Sequence, residues 1–193
     1  IHVILGYPLI QNENLYNVCS LIHDKKIKKT YYKQYLPNYS VFDEKRYFTS
    51  GNDLCTFEIK GVTAALTICE DIWLPEGVVA DLAANGAQII LNLNASPYEQ
   101  GKIEIRQDVL QQRVIESQIP IVYVNQVGGQ DELVFDGGSM AIGFDKKIVA
   151  RAPQFKETVM TFDIEPAPSQ KSNSQSTIEI PSTSKDYLPP KGE

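Results

Sequence analysis

A mixed α/β fold, with β-sheets at its centre and helices outside, is predicted by three features of the sequence. Two pairs of β-prone segments are joined by short polar turns, which is typical of antiparallel hairpins. A central stretch alternates strand, helix, strand, helix and strand. The strands of that stretch are continuously apolar, as in sheets that are covered on both faces.

The first half of the chain contains both hairpins. One is predicted at residues 18–22 and 27–32, and the other at residues 55–59 and 62–68 around Lys60-Gly61. Residues 1–5 predict a buried strand that ends at Gly6 and Pro8. Because the chain begins inside this apolar segment, we expect the protein to start upstream of residue 1.

The second half shows helical periodicity between further strands. A stripe at Val78, Val79, Leu82 and Ala83 predicts a helix with Pro75 in its first turn and Gly86 at its C-terminal cap. The remaining predicted elements are a strand at 87–93, a helix at 102–117, and strands at 119–125, 139–144, 148–152 and 158–164.

Composition excludes several classes of protein. The chain has 193 residues and a formal net charge of −6, which disfavours a nucleic-acid-binding module. No apolar run approaches the roughly 20 residues of a membrane helix. Three cysteines cannot all pair within one chain, and with no signal peptide this predicts the cytoplasm. With only two histidines and no Cys/His pattern that resembles a zinc site, the sequence predicts no metal site.

The chain divides near residue 165. Residues 1–165 carry the strand and helix signals and predict one domain. Residues 166–193 are rich in proline and serine and lack periodicity, which predicts a linker or an ordered strap rather than core. Because linkers connect domains, we expect a second domain to follow.

Cys69 is the residue that most clearly suggests chemistry. It ends the apolar strand 62–68 and precedes Glu70, Asp71 and a helical segment. Nucleophiles often occupy such strand-to-helix bends, and a helix N-terminus lowers a thiol pKa, whereas the two carboxylates oppose this. The alternative is a small buried residue at a strand end. Cys19 and Cys55 lie inside strands and are expected to be core residues.

Four segments in order resemble the nitrilase-like glutaminase domain of glutamine-dependent NAD synthetases, a family with an α-β-β-α sandwich fold. They are CEDIW at 69–73, KQYLPNYSVFDE at 33–44, NASPYEQGK at 94–102 and YVNQVGGQDELVFDGGS at 123–139. Together they cover most of residues 1–165. The glycine pairs at 128–129 and 137–138 predict tight turns at the site rim, and the resemblance implies that this block helps to contact a synthetase part.

The resemblance implies a role for each catalytic residue. Cys69 would attack the glutamine carboxamide and form a thioester, which water then hydrolyses to glutamate. Lys33 would stabilise the oxyanion, although a solvated lysine is the alternative. Glu44 would be a supporting carboxylate, although a surface charge is the alternative. The family's general base, a glutamate, lies on an earlier segment, so the first strand and helix of the sandwich are expected to be missing here and this chain alone to be inactive.

The resemblance also implies a glutamine pocket. Its predicted lining residues are Tyr39, Glu70, Trp73, Ser96 and Lys102. The substrate α-carboxylate would be bound by Lys102 or by its rival Arg106, one turn further along the same helix. Trp73 would either wall the pocket or belong to the core.

Three functions follow as hypotheses. The first is the glutaminase portion of an ATP-dependent NAD synthetase, in which a separate domain uses ATP and Mg²⁺ to convert deamido-NAD to NAD with the released ammonia, and the glutaminase domain needs no cofactor. Its partners would be glutamine, that synthetase domain and further copies of itself in a homo-oligomer. The second is a nitrilase-like amidase for another small amide. The third is a catalytically incomplete fragment used in assembly.

Overall fold

The computed structural model describes residues 1–169, which form two main sheets, a small hairpin and three helices. The strands in chain order are β1 (His2–Gln11), β2 (Asn14–His23), β3 (Lys26–Tyr32), β4 (Thr56–Ile59), β5 (Val62–Ile68), β6 (Ile89–Asn94), β7 (Ile121–Asn125), β8 (Val127–Gln130), β9 (Leu133–Asp136), β10 (Met140–Ile142) and β11 (Ile148–Arg151). The helices are α1 (Glu44–Tyr47), α2 (Val78–Ala84) and α3 (Lys102–Ser117), and a 3₁₀ turn spans Cys69–Ile72.

The smaller sheet has the order β1-β2-β3, with all pairs antiparallel. Its β2–β3 hairpin confirms the first predicted hairpin. The turn between these strands places Asp24 and Lys25 in the left-handed conformation, with φ of +52° and +60°. This hairpin brings Lys33, the residue after β3, to the end of the sheet.

The prediction of a buried strand at residues 1–5 is wrong. Strand β1 continues through Gly6 and Pro8 to Gln11, and most of its residues are exposed. It forms an edge of the smaller sheet, where it pairs with β2. Pro8 is tolerated because a proline, which cannot donate a backbone hydrogen bond, is compatible with an edge strand.

The larger sheet has the order β11-β10-β7-β6-β5-β4. Its centre, β5-β6-β7, is parallel, and its flanks are the antiparallel pairs β4–β5 and β10–β11. The second predicted hairpin is therefore confirmed as β4–β5, and the mixed sheet with a parallel centre is the arrangement that the strand and helix alternation predicts. Two strand ends of this parallel centre, Ile68 and Asn94, lead directly into the candidate site.

The two longer helices form at the predicted places. Helix α3 has the predicted bounds, and its Leu110 and Val114 are buried. Helix α2 begins at Val78, and Gly77 before it has an extended backbone, so Pro75 precedes the helix instead of lying in its first turn. Gly86 follows the cap residue Asn85 with φ of +79°, as a helix end requires.

The closing part of the chain differs from prediction in two ways. Residues 158–164 form no strand in the described structure, although exposed and half-buried residues alternate from 161 to 166. Alternation alone is not enough, because a strand also needs a neighbour to accept its backbone hydrogen bonds. The hairpin β8–β9 was not predicted, and the turn expected at Gly128 and Gly129 is wrong, because both residues lie in its first strand. Gly137 and Gly138 follow β9 with φ of +68° and +63°, and Gly137 forms a bridge with Gln154.

The core lies between the two sheets and beneath the helices. Cys19, Leu21 and Tyr31 of the smaller sheet share one buried cluster with residues of the larger sheet and of α2 and α3. Every residue of β5 from Ala64 to Ile68 is buried, which shows that both faces of this strand are covered. Cys55 belongs to the same core, as expected.

Two searches of the described residues gave no candidates. Within residues 1–169, no helix combines the length and apolar character that crossing a membrane demands. In the same part of the chain, no group of three or more His, Cys, Asp or Glu side chains is arranged to hold a metal ion.

The described structure reaches the first residues of the predicted linker. Ala167 is buried, its N–H donates to the Gln88 carbonyl oxygen, and its own carbonyl oxygen accepts from Gln88 Nε2 at 2.8 Å. The start of this segment is therefore attached to the beginning of β6. The rest of the predicted linker, 170–193, lies outside the described residues.

Candidate active site

Cys69 lies at a sharp bend between β5 and the 3₁₀ turn. Its φ is +42°, a left-handed conformation that costs a residue with a side chain about 1–3 kcal/mol and that recurs at functional sites. The bend after an apolar strand was predicted, but the segment that follows is one short 3₁₀ turn and not an α-helix. The residue is only 9 % exposed and contributes to the wall of a cleft.

Asp71 holds this bend. Its Oδ2 accepts the Ile68 N–H and the Tyr31 hydroxyl, both at 2.8 Å, and its Oδ1 accepts the Tyr35 N–H at 3.0 Å. The sequence interpretation treated Asp71 only as a source of repulsion. The signal that could have found its role is the capping-box pattern, in which an acidic side chain reaches back to a backbone N–H three residues earlier.

Lys33 is buried and paired with Glu44. The Lys33 side chain is 1 % exposed, and its Nζ donates to both Glu44 carboxylate oxygens at 2.7 Å. The Lys33 backbone is held on both sides, because its N–H donates to Asn17 and its carbonyl oxygen accepts from Gly51. Lys33 is therefore not a solvated lysine, and Glu44, at the start of α1, is not an isolated surface charge.

The environment of Cys69 keeps its thiol protonated at neutral pH. Burial raises the pKa of Cys69 to about 11, the Lys33 ammonium lowers it, and Glu70, Glu44 and Asp71 raise it further. The low pKa expected from a helix N-terminus is thus not found, since desolvation disfavours the thiolate. Lys33 is the cation that opposes this effect.

The cleft next to Cys69 has a volume of about 250 Å³. It brings together Cys69 and all five residues that were predicted to line a glutamine pocket: Tyr39, Glu70, Trp73, Ser96 and Lys102. Residues that were not predicted complete the wall, namely Ser40, Val41, Phe42, Pro97, Tyr98, Glu99 and Leu133. Lys33 and Glu44 are not among the lining residues.

Glu70 and Tyr39 form a pair in the cleft wall. The Tyr39 hydroxyl lies 2.9 Å and 3.0 Å from the two Glu70 carboxylate oxygens and donates to that group. Burial raises the pKa of Glu70, whereas Tyr39 and Lys33 lower it. The Glu70 carboxylate is therefore an oriented hydrogen-bond acceptor for a ligand beside Cys69.

Lys102 and Arg106 have different environments. The Lys102 ammonium lies 5.2 Å from the Trp73 ring centroid and 3.4 Å from Glu99 Oε2, inside the cleft wall. Arg106 is 1 % exposed, and its Nη1 donates to both Asp136 oxygens at 2.8 Å and 2.9 Å. Its other nitrogens donate to Ser96 and Pro97. Arg106 is thus committed to the protein, which removes it as the rival for a substrate carboxylate.

Ser96 lies on a loop that is held from several directions. The Ser96 N–H donates to Asn125 Oδ1 at 2.8 Å, and the Ser96 carbonyl oxygen accepts from Asn125 Nδ2 and from Arg106. Asp136, which binds Arg106, also accepts from Gln154 Nε2 at 2.7 Å. These contacts orient the loop that follows β6 towards the cleft.

Trp73 has both of the environments considered for it. It lines the cleft and at the same time packs against the buried core cluster as a partly buried side chain. Trp73 therefore joins the cleft wall to the core.

The profile of the carbon-nitrogen hydrolase family matches residues 1–172. The chain belongs to the carbon-nitrogen hydrolase family. Among solved structures, an amidase of the nitrilase superfamily from Nesterenkonia AN1 is 25 % identical and superposes with a TM-score of 0.68, over 86 % of this chain and 59 % of that one. The predicted nitrilase-like fold class is thereby confirmed.

Closer relatives of this carbon-nitrogen hydrolase chain are glutamine-dependent NAD synthetases. Those of Aquifex aeolicus and Thermotoga maritima are 44 % and 40 % identical to it, each over 84 % of this chain but 29 % and 28 % of their own length. The structure of the Acinetobacter baumannii enzyme is 40 % identical, with a TM-score of 0.79 over 82 % of this chain and 30 % of that one. The chain thus spans less than a third of these relatives.

Proposed function

We propose that this chain is the glutaminase portion of a glutamine-dependent NAD synthetase. The observation that carries the proposal is the single cleft that joins Cys69 to all five predicted pocket residues, with the Lys33–Glu44 pair acting on the same thiol. Identities of 40 % and above to named synthetases support the substrate assignment.

In the proposed reaction, Cys69 Sγ attacks the side-chain carboxamide carbon of glutamine. The tetrahedral intermediate collapses, the nitrogen leaves as ammonia with an added proton, and a thioester remains on Cys69. Water then adds to the thioester, and the products are glutamate and the free thiol. The net change is the conversion of glutamine and water to glutamate and ammonia.

Lys33 is proposed to stabilise the negative oxygen of both tetrahedral intermediates. An ammonium in a buried setting is worth several kcal/mol to such a transition state, about 3 by comparison with other oxyanion donors. Glu44 supports this role, because a carboxylate that accepts from Nζ at 2.7 Å on both oxygens keeps the ammonium charged and oriented.

A thiol with a pKa of about 11 must lose its proton during the attack, so the reaction needs a general base. The described carboxylates near Cys69 are engaged: Glu44 with Lys33, Glu70 with Tyr39, and Asp71 with three donors. We therefore propose that the base is a glutamate on a segment that precedes residue 1, as the resemblance implies. On this proposal the chain alone is inactive.

Substrate binding is proposed to use groups of opposite charge in the cleft wall. Lys102 would bind the α-carboxylate of glutamine, and the Tyr39–Glu70 pair and Ser96 would supply polar contacts. Trp73 would form the wall beneath Lys102, where the ring face favours a nearby cation.

The remaining assignments follow from the same proposal. Residues 1–165 would form the glutaminase domain, and residues 166–193 would lead to a synthetase domain of the same polypeptide, which would bind ATP and Mg²⁺ and use the ammonia. The domain itself would need no cofactor. Homo-oligomerisation stays a prediction. Three free, buried cysteines support a cytoplasmic location.

The test uses the full polypeptide that carries this chain, with either glutamine or an ammonium salt as nitrogen donor. We expect Cys69→Ala to abolish NAD formation from glutamine and to leave the ammonia-driven reaction within about twofold, since only the first needs the thioester. Cys55→Ala is the matched control, because it removes a core thiol, and both reactions should persist. Loss of both reactions in folded Cys69→Ala protein would contradict the proposed division of labour.

A further inference from the structure

Asp71 joins three segments of the chain at one buried carboxylate. It is fully buried, and its three hydrogen bonds come from the Ile68 N–H, the Tyr31 hydroxyl and the Tyr35 N–H. The Ile68 N–H belongs to the residue before Cys69. The other two donors belong to residues 36 and 40 positions away, in and after β3.

The two distant donors lie on either side of Lys33. Tyr31 precedes Lys33 by two residues and Tyr35 follows it by two residues. One carboxylate therefore holds the bend that carries the thiol and both flanks of the lysine that carries the ammonium. Lys33 follows β3 of the smaller sheet, whereas Cys69 follows β5 of the larger sheet.

We propose that Asp71 is a positioning residue that sets the placement of the Lys33 ammonium relative to the Cys69 thiol. This inference rests on the proposed function and adds to it a residue that touches neither substrate nor reacting atoms. Without the three bonds, the alignment of a nucleophile with an oxyanion donor from a different sheet would depend on packing and on the Tyr39–Glu70 contact. A misplacement of 1 Å at such a site can cost about a hundredfold in rate.

The carboxylate form of Asp71 is what the geometry requires. Three donors converge on its two oxygens, and an ionised carboxylate is an acceptor at every lone pair. The titratable groups that interact with Asp71 are Lys33, Glu70, Cys69, Tyr31, Tyr35 and Cys19. Of these, Tyr31 stays a donor, because burial and the Asp71 charge raise its pKa well above the usual value.

Asparagine at this position separates positioning from packing. Its shape matches aspartate, but one oxygen becomes an NH₂ group, which faces either the Tyr35 N–H or the Ile68 N–H. In either orientation one backbone donor loses its acceptor. Tyr31→Phe is a milder second variant, since it removes one bond and keeps both backbone contacts and the Asp71 charge.

The experiment uses the full polypeptide and two readouts. The first is the steady-state kinetics of glutamine hydrolysis, normalised to folded protein. The second is the pH profile of iodoacetamide alkylation at Cys69, followed by peptide mass spectrometry so that Cys19 and Cys55 do not interfere. Asp108→Asn, the same change at an exposed position on α3, is the matched control.

We expect Asp71→Asn to lower kcat by about tenfold to a hundredfold and to change KM by less than threefold. The alkylation profile of Cys69 should move to higher pH, because the Lys33 ammonium lowers the thiol pKa only when it is well placed. Loss of the Asp71 charge by itself would move the profile to lower pH, because that charge raises the thiol pKa. A shift to higher pH therefore reports displacement of Lys33. Tyr31→Phe should shift both readouts in the same direction as Asp71→Asn, by a smaller amount.

Two results would overturn the inference. One is an alkylation profile that stays in place or moves to lower pH in both variants. The other is a kcat per folded molecule equal to that of the parent, with only the unfolding temperature reduced. If the parent protein hydrolyses no glutamine, the proposed function fails, and the alkylation profiles still decide whether Asp71 positions Lys33.

Discussion

The Cys69 thiol is held in a strained backbone conformation and shielded from water, so its reactivity depends on neighbouring side chains. Burial raises its pKa to about 11, and Lys33 is the cation that opposes this effect. Alkylation requires the thiolate. The rate at Cys69 should therefore rise about tenfold for each pH unit from pH 7 and level off near pH 11.

Replacement of Lys33 by methionine tests this dependence. Without the ammonium, the pKa of Cys69 should rise further, and iodoacetamide alkylation at pH 9 should slow by about tenfold for each unit of that rise. The measurement is site-resolved alkylation by mass spectrometry. Lys45→Met, at an exposed lysine of α1, should leave the rate unchanged. If alkylation of the parent protein levels off below pH 9, the raised pKa of Cys69 would be contradicted.

At the residue scale, the sequence singled out the proposed reactive groups more readily than their partners. Cys69 and Lys33 could be found because they lie in short segments with a recognisable pattern. Asp71 and Arg106 were misjudged, because their functions depend on donors and acceptors 30 or more positions away in the chain. The contact of Asp71 with the Ile68 N–H is local, but nothing near Asp71 in the sequence shows that Tyr31 and Tyr35 also donate to it.

At the element scale, the loop between β6 and α3 is fixed by one buried ion pair. Arg106 of α3 and Asp136 at the end of β9 are both fully shielded at the side chain, with Nη1 and Oδ1 2.8 Å apart. Arg106 also donates to the backbone of Ser96 and Pro97. The pair thus couples a helix, a hairpin and a loop that lines the cleft.

Arg106→Met should destabilise the protein strongly. It leaves Asp136 buried without its cation, and breaking a buried pair in this way costs about 3–5 kcal/mol. The free energy of unfolding from urea denaturation is the measurement. Arg151→Met, at an exposed arginine of β11, should change it by less than about 0.5 kcal/mol. A loss below about 1 kcal/mol for Arg106→Met would show that the pair does not hold the loop.

Helices and hairpins were predictable where their signals are local. The bounds of α3 and the two hairpins follow from periodicity and turn residues. The strand expected at 158–164 failed, because pairing depends on a neighbour that the local pattern cannot supply. The prediction that β1 is buried failed for a similar reason, because an apolar strand can lie at the edge of a sheet as well as in a core.

At the scale of the whole molecule, the segment after residue 165 is attached to the larger sheet through Gln88. Its Nε2 donates to the Ala167 carbonyl oxygen at 2.8 Å, and its Oε1 accepts the Thr63 N–H at 3.0 Å. Gln88 therefore connects β5, the start of β6 and the proposed route towards a second domain.

Gln88→Ala should loosen this attachment without affecting the cleft. Chymotrypsin should cut at the half-buried Phe162 several times faster, because the two side-chain bonds of Gln88 are lost and local opening becomes easier. The measurement is limited proteolysis with mass analysis of the fragments. Alkylation of Cys69 should be unchanged. Equal cleavage rates in parent and variant would indicate that other contacts hold the segment.

The sequence by itself determined the α/β class, the central hairpins and helices and the family resemblance, and it led to the proposal of Cys69 and Lys33 among several cysteines and lysines. These follow from periodicity, turn chemistry and short ordered segments, which are properties of neighbouring residues. Only the tertiary structure decided that Glu44 pairs with Lys33, that Arg106 binds Asp136, and that Asp71 holds both flanks of Lys33. Ion pairs and buried hydrogen bonds join residues far apart in the chain, so their partners are determined by packing.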